Sequence, residues 1–393
     1  MLKGKRTRGI ILKNVRGAIS SGAGAGNPKR FGEGRSARVE DEWAGPDEPG
    51  QHGGRESEAA RPFAPEQMVA CDVCLRANPP TRLLCLYCGA KLPETPHAAA
   101  LRRPALKKLE EWEHGFNVVT LARAAGALTS EDAEEAASLL RLDAGGLKEI
   151  ALAGRAMPVA RAASADEAWL IVERLRALGL HTEVFPDEVL ARRPLRVRAF
   201  EFEDDALVCR PGPEAETRRV PWPEVVLFVK GRVVSRRVEV AERRRGLSGR
   251  SETVETREIA SDESVLDVYT AVGDEHPASA GAAAGFRVLA GGFDYSCLGG
   301  EKRLMAAENF ETLAATLRAR VPSAVCDEEY TPLRPLLAEV WPSAERTESL
   351  GLRRERAGRF NTEAVTTVSN EGQFTRYARL RQMLVLRARA ESL

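Results

Sequence analysis

Two pairs of cysteines constrain this chain more than any other feature of its sequence. Cys71 and Cys74 form one C-x2-C pair, and Cys85 and Cys88 form a second pair after ten intervening residues. Four thiolates match the tetrahedral coordination that zinc prefers, and Asn78-Pro79-Pro80 supplies a turn that brings the pairs together. Because so short a segment has almost no hydrophobic core, the ion would have to replace it. The spacing predicts a closed, structural Zn2+ site, with a redox dithiol pair as the alternative.

The residues around the cysteines resemble a known type of module. The segment is similar to the short zinc ribbons of bacterial proteins at Cys71, Cys74, Asn78, Cys85, Cys88, Gly89 and Leu92. It departs from them at Leu75, where a glycine is usual. The Cys–Asn–Cys spacing also resembles the Ran-binding-protein type of zinc finger, which binds single-stranded RNA or ubiquitin, although Val69 replaces its tryptophan. These resemblances imply a metal-held module and leave its function open.

The length, charge and cysteine content of the chain limit the classes of protein to which it can belong. A chain of 393 residues suits two or three domains. Its 58 basic and 57 acidic residues argue against a dedicated nucleic-acid binder but allow local basic patches. Cys209, Cys297 and Cys326 are scattered thiols, which suits a reducing cytoplasm better than a disulfide framework. Since no run approaches 18 apolar residues and Ile10–Leu12 is too short for a signal peptide, we expect a cytoplasmic protein without a membrane span.

The first third of the chain is predicted to carry the ribbon on an irregular arm. Residues 1–66 are rich in Gly, Pro and charge without apolar periodicity, which predicts a disordered tail. Gly22 and Gly24 could begin a dinucleotide-binding loop, but Asn27 stands where its third glycine would fall. A flexible linker is therefore predicted there. The predicted ribbon spans residues 67–95, and a linker with two prolines follows at residues 96–113.

Residues 114–190 are predicted to form a small α/β domain. Strands are expected at 116–119, 157–161 and 180–185, and capping signals at Thr129 and Ser164 begin helices between them. The resulting β-α-α-β-α-β order, with Gly146-Leu147-Lys148-Glu149 between the first two helices, resembles the C-terminal domain of the bacterial ribosomal stalk protein. The Clp-protease adaptor shares this general fold. The resemblance implies a protein-docking module.

Residues 194–325 are predicted to be rich in β-structure. Helical periodicity at Phe310, Leu313 and Leu317 ends at Pro322. This order resembles a pleckstrin-homology-like barrel with its helix. Where lipid-binding members have a basic loop, Glu203-Asp204-Asp205 is acidic, which argues against phosphoinositide binding. Strands are expected at 195–202, 206–210, 220–229, 232–242, 264–270, 286–289 and 293–298, and the basic run Arg243–Arg245 and Arg250 is expected in a solvated hairpin loop.

Residues 326–393 are predicted to be a partly helical extension. A helix is expected at 333–340, whereas Glu345–Asn370 is polar, shows little periodicity and is not assigned regular structure. Asn370 and Gln373 are predicted to cap a last helix. Its apolar face holds Phe374, Tyr377, Leu380 and Leu384, and Arg376, Arg379, Arg381 and Arg387 lie beside that face. We expect this helix to dock on its own protein, with a membrane surface or a partner groove as the alternative.

The predicted fold class is thus multidomain α+β: a four-cysteine zinc ribbon, a β-α-α-β-α-β unit and a β-barrel capped by a helix, behind a disordered N-terminus. The whole arrangement resembles multidomain bacterial zinc-ribbon proteins. No catalytic motif occurs, and the predicted function is a non-enzymatic adaptor that binds a protein partner. Nucleic-acid binding through the ribbon and the Arg-rich segments is the first alternative. An enzyme with a site around Asp294 or Cys297 is the second, although a buried structural thiol is expected at Cys297.

Overall fold

The computed structural model describes residues 63–110, 113–121, 129–212, 216–245, 250–271, 285–356 and 359–392. These residues fold as mixed α+β, which confirms the predicted class, and they belong to one compact unit, Pro62–Leu393. The predicted disordered tail lies outside the described residues up to residue 62. The segment boundaries predicted from the sequence stay predictions.

The cysteine-rich segment is a small module with its own core. Strands β1 (Val69–Ala70) and β2 (Ala77–Asn78) pair antiparallel, and helix α1 (Pro96–Leu101) follows the second cysteine pair. Thr95 caps α1 by accepting a hydrogen bond from the Ala98 N–H. The hydrophobic core of this module consists of Val69, Cys71, Cys85, Leu92 and Ala98.

The next segment confirms the predicted β-α-α-β-α-β order. Its elements are β3 (Phe116–Thr120), α2 (Ser130–Leu140), α3 (Ala144–Leu152), β4 (Met157–Ala162), α4 (Ala165–Ala177) and β5 (Thr182–Pro186), followed by α5 (Asp187–Leu190). The sheet order is β4-β3-β5, with both neighbours antiparallel to β3. The cysteine-rich segment is attached at the start of α4, where Lys91 Nζ lies 2.6 Å from Asp166 Oδ1 and the Leu106 N–H donates to Glu167 Oε1.

The β-rich region contains a three-stranded sheet and a curled half-barrel sheet of seven strands. The three-stranded sheet is β7 (Ala199–Phe202), β8 (Ala206–Arg210) and β9 (Arg218–Pro221). The half-barrel contains β6 (Leu195–Arg196), β10 (Val225–Arg245), β11 (Arg250–Thr270) and β12 (Phe286–Leu289). Helix α6 (Ala306–Arg320) packs Phe310, Leu313 and Leu317 into the core that both sheets share.

The strand predicted at 293–298 is wrong. The chain there forms 3-10 turns, Ala290–Gly292 and Tyr295–Glu301. Asp294 causes this locally, because its carboxylate accepts hydrogen bonds from the N–H and hydroxyl of Ser296 and so begins a turn.

The C-terminal segment completes the half-barrel. It consists of β13 (Val325–Asp327), α7 (Tyr330–Ala338), β14 (Ala344–Arg356), β15 (Arg359–Ser369) and α8 (Glu371–Glu391). The stretch Glu345–Asn370, to which the sequence assigns no regular structure, is therefore largely β-strand. This stretch is an antiparallel hairpin whose second strand pairs with β10, giving the sheet order β14-β15-β10-β11-β12-β6, with β13 beside β10.

Helix α8 packs against both the α/β segment and the half-barrel. Phe374, Tyr377 and Leu380 are buried in a core that also contains Val118 of β3 and Val229 of β10. The prediction that the last helix docks on its own protein is confirmed. Among the residues that the structure describes, no helix is both long enough and apolar enough to cross a membrane.

Candidate metal centre

The structure brings the four cysteines of the two C-x2-C pairs to one point. Their sulfur atoms all lie within 4.8 Å of one another. The Sγ atoms of Cys71 and Cys88 are 3.6 Å apart, as are those of Cys74 and Cys85. A disulfide would need about 2.0 Å, whereas sulfurs bound at about 2.3 Å around one tetrahedral ion are about 3.8 Å apart. The four residues therefore fit a single metal ion held by thiolates.

Two tight turns aim the sulfurs inward. The Leu75 N–H donates to the Cys71 carbonyl at 2.8 Å, and the Gly89 N–H donates to the Cys85 carbonyl at 3.0 Å. Both turns end in the left-handed region, with φ of +58° at Leu75 and +73° at Gly89. Glycine adopts this conformation freely, but for a leucine it has a steric cost of about 1–2 kcal/mol. Leu75 is thus a strained replacement at the position where similar ribbons have glycine.

The side chain of Asn78 holds the turn at Cys85–Cys88 in place by hydrogen bonds from inside the module. This side chain is fully buried, and its Nδ2 donates to the Arg76 carbonyl at 2.8 Å and faces Cys85 Sγ at 3.4 Å. Its Oδ1 accepts from the Leu86 N–H at 2.8 Å. The sequence indicated Asn78 as a turn residue. The structure shows that it also orients the Cys85 sulfur, as residues behind metal ligands commonly do.

The electrostatics of the cluster favour binding of a cation. Burial opposes ionisation of Cys85, but hydrogen bonds from the backbone of Cys88 and Tyr87 and from Asn78 lower its pKa to about 6. At Cys88 the Ala90 N–H favours the thiolate, yet burial and the neighbouring sulfurs raise the pKa to about 12. Four thiolates this close repel one another, and a divalent cation would relieve that repulsion. With four sulfur ligands the coordination shell would be closed, which suits a structural site.

The turns that hold the sulfurs also expose a group of large apolar side chains. We name the knuckle patch as Val73, Leu75, Leu84, Leu86 and Tyr87, which are 72%, 80%, 38%, 52% and 56% exposed. They make up five of the twelve exposed large hydrophobic residues in the described part of the chain. Arg76 links the two turns, because its guanidinium carbon lies 4.7 Å from the centre of the Tyr87 ring. The patch is thus a surface of the metal-held module.

The alternative site around Asp294 and Cys297 gains no support from its geometry. Asp294 accepts from Ser296 and lies 3.6 Å from Lys302 Nζ. Cys297 is half-buried, and this burial raises its pKa to about 11, so the thiol is protonated at neutral pH. Neither residue lines the cavity of about 470 Å³ between α5 and α8 or the cavity of about 320 Å³ between β10 and α6.

No protein-family model matches the chain, and the searches of the curated proteins and of the solved structures return no match. What the chain does is therefore inferred from its own residues and geometry. The two features that point to a function in this region are the four-sulfur cluster and the knuckle patch above it.

Proposed function

We propose that this chain is a non-enzymatic, zinc-dependent adaptor that holds a protein partner on the knuckle patch. The observation that carries the proposal is the concentration of exposed apolar side chains on the two turns that hold the sulfurs. Tetrahedral sites of four thiolates select zinc or iron, and two C-x2-C turns in a small module are typical of structural zinc. The ion would supply the folding energy that the module's five-residue core cannot.

A protein partner fits the chemistry of this surface. Clustered exposed apolar side chains mark interaction sites, and aromatic and arginine side chains are enriched at the centres of protein interfaces. Tyr87 and Arg76 are stacked on each other at the junction of the two turns, so this pair is the expected anchor. Because each turn is fixed by one pair of sulfurs, loss of the ion should separate the halves of the patch and abolish binding.

The test compares full-length chains in affinity capture from native lysate, followed by measured affinities for each captured protein. The informative variants are Cys71→Ser, which removes one ligand, and the pair Leu75→Ser with Leu86→Ser, which removes two patch residues. Leu304→Ser is the matched control, because Leu304 is fully exposed but lies outside the ribbon. We expect both informative variants to weaken binding at least about tenfold and the control to leave it unchanged. Capture that survives both informative variants would contradict the proposal.

A further inference from the structure

The cavity between α5 and α8 has the size and the walls of a site for a small molecule. Its volume is about 470 Å³, and sites for small molecules typically measure about 300–1,000 Å³ and are mostly apolar. None of the residues that line it belongs to the cysteine-rich segment. Half of them are apolar, and all of these except the buried Phe185 are partly exposed: Phe185, Val189, Met383, Leu384 and Leu386. The cavity therefore presents an accessible, carbon-rich wall.

One side of α8 gives the cavity a buried polar end and an open end. Five of the lining residues are spaced by three or four positions along this helix and so share one side of it: Arg379, Gln382, Met383, Leu386 and Arg387. From Arg379 to Arg387 the helix rises about 12 Å. Arg379 and Gln382 are 5% and 2% exposed. The side chain of Arg387 is instead 47% exposed and lies 2.5 Å from Glu183. The cavity is thus polar where it is most buried.

Hydrogen bonds to the surrounding elements fix this polar end in place. Arg379 Nε donates to the Val189 carbonyl at 3.2 Å, and Arg379 Nη1 donates to Gln382 Oε1. Gln382 Nε2 donates to the carbonyl of Thr270, the last residue of β11, at 3.4 Å. These bonds join α8 to α5 and to the half-barrel, so the guanidinium is already in position before a ligand binds. A fixed cation among apolar side chains attracts an anion more strongly than a cation in water does, because the surroundings screen it less.

The charges of the lining favour a negatively charged ligand. Three arginines, Arg192, Arg379 and Arg387, line the cavity together with one carboxylate, Glu188. Even when Glu183 beside Arg387 is counted, the arginines outnumber the carboxylates three to two. A planar guanidinium matches the geometry of a carboxylate. We propose that this cavity binds an aliphatic monocarboxylate of medium chain length, with its carboxylate at Arg379 and its chain along the apolar wall.

A small amphipathic anion fits the cavity better than a side chain of a protein partner does. A partner's apolar side chain would fill the carbon-rich wall but would bring no charge to the buried guanidinium of Arg379. A carboxylate with an aliphatic chain satisfies both parts of the cavity at once. Met383 suits such a ligand, because its unbranched and polarisable side chain adapts to the shape of what it contacts.

The test is isothermal titration calorimetry of the full-length protein with sodium octanoate and sodium decanoate, each below its micelle concentration. We expect one site per chain and about fifteenfold tighter binding of decanoate, because each buried CH2 group contributes about fourfold in affinity. Octan-1-ol and octylamine keep the same aliphatic chain but carry a neutral and a cationic head group. Each should bind at least about tenfold more weakly than octanoate, because neither can form a charge-assisted pair with Arg379.

Variants of the full-length protein locate the site. Arg379→Met removes the charge and keeps a long side chain, so it should weaken octanoate at least about tenfold and leave octan-1-ol unchanged. Arg379→Lys keeps the charge and should recover part of the loss. Val189→Trp fills the cavity and should abolish binding of both ligands. Arg389→Met is the matched control, because Arg389 lies on the same helix outside the cavity lining and donates to the Ser323 carbonyl; it should match the wild type.

Several outcomes would overturn this proposal. These are no binding of decanoate, octan-1-ol binding as tightly as octanoate, unchanged octanoate binding in Val189→Trp, and equal losses in Arg379→Met and Arg389→Met. If Arg379→Met misfolds by circular dichroism, the comparison of the three head groups in the wild type decides the question. The proposal is independent of the knuckle patch: Leu75→Ser with Leu86→Ser should bind octanoate like the wild type, and Val189→Trp should still capture the protein partner.

Discussion

Asp187 shows how single residues fix the placement of whole elements. The side chain is buried at the start of α5, where its Oδ2 accepts from Arg161 Nε at 2.7 Å and from the Gly115 N–H at 2.9 Å. Its Oδ1 accepts from Asn117 Nδ2 at 3.1 Å and from Arg376 Nε at 3.2 Å. One carboxylate thereby joins β3, β4 and α8. Burial opposes its ionisation, but Asn117 and Arg161 outweigh that effect and lower the pKa of Asp187.

We expect Asp187→Asn to lower the free energy of unfolding by about 3–5 kcal/mol, because the substitution leaves two largely buried arginines without their carboxylate. A carboxyl group whose folded pKa is depressed contributes stability above its unfolded pKa and loses it as pH falls through the folded pKa. The difference in the free energy of unfolding between the wild type and Asp187→Asn should therefore be largest at neutral pH and shrink below about pH 4. Urea unfolding across this pH range measures it. Asp204→Asn, at an exposed position, is the control and should change little.

Leu75 combines a strained backbone conformation with a side chain in the proposed binding surface. Its φ of +58° suits glycine, yet its exposed side chain belongs to the knuckle patch. We expect Leu75→Gly to slow metal loss to a chelator, because relief of the left-handed conformation stabilises the metal-bound turn by about 1 kcal/mol. The same substitution should weaken partner binding. Gly89→Leu imposes the reverse change at φ +73° and should speed metal loss; equal rates in both variants would contradict this account.

At the scale of elements, the sequence predicts some features better than others for physical reasons. Caps at Thr129 and Ser164 and the apolar faces behind them identify α2 and α4, because the pattern of a half-buried helix is local. The C-x2-C spacing likewise identifies the four-sulfur cluster. The hairpin β14–β15 was missed because its described side chains are mostly exposed or half-exposed on both faces, so no apolar alternation marks it. The knuckle patch depends on contacts between two turns that are separated in the sequence, which local patterns do not report.

The close packing of Gly231 in β10 against α7 and α8 can be tested by substitution. A Cβ added at Gly231 would lie 2.7 Å from the Phe374 ring and 2.8 Å from the Tyr330 ring. Both rings are fully buried, so we expect Gly231→Ala to lower the free energy of unfolding by about 1–3 kcal/mol. Gly146→Ala is the opposite case, because α3 has open space at that position and alanine favours a helix by about 1 kcal/mol. Denaturant unfolding should show a lower free energy of unfolding for Gly231→Ala and a higher one for Gly146→Ala, each relative to the wild type.

At the scale of the molecule, the described chain combines a shared core with a separate cysteine-rich module. That module has its own buried cluster, which shares no residue with the two clusters that hold the helices and sheets. Under the proposed function, this module carries the surface for a protein partner. Such a role requires that the module can be lost without unfolding the core.

Removal of the metal should therefore unfold the ribbon and spare the rest. The wild type is expected to carry one zinc ion per chain by elemental analysis, and Cys71→Ser with Cys85→Ser should carry none. The melting temperature of that variant should stay within a few degrees of the wild type, because none of the residues of the two larger clusters is changed. Cys209→Ser is the complementary control: it places a hydroxyl in the core of the β-rich region, so it should lower the melting temperature and keep the zinc. A collapse of the whole fold on chelation would show that the ion supports the core as well as the ribbon.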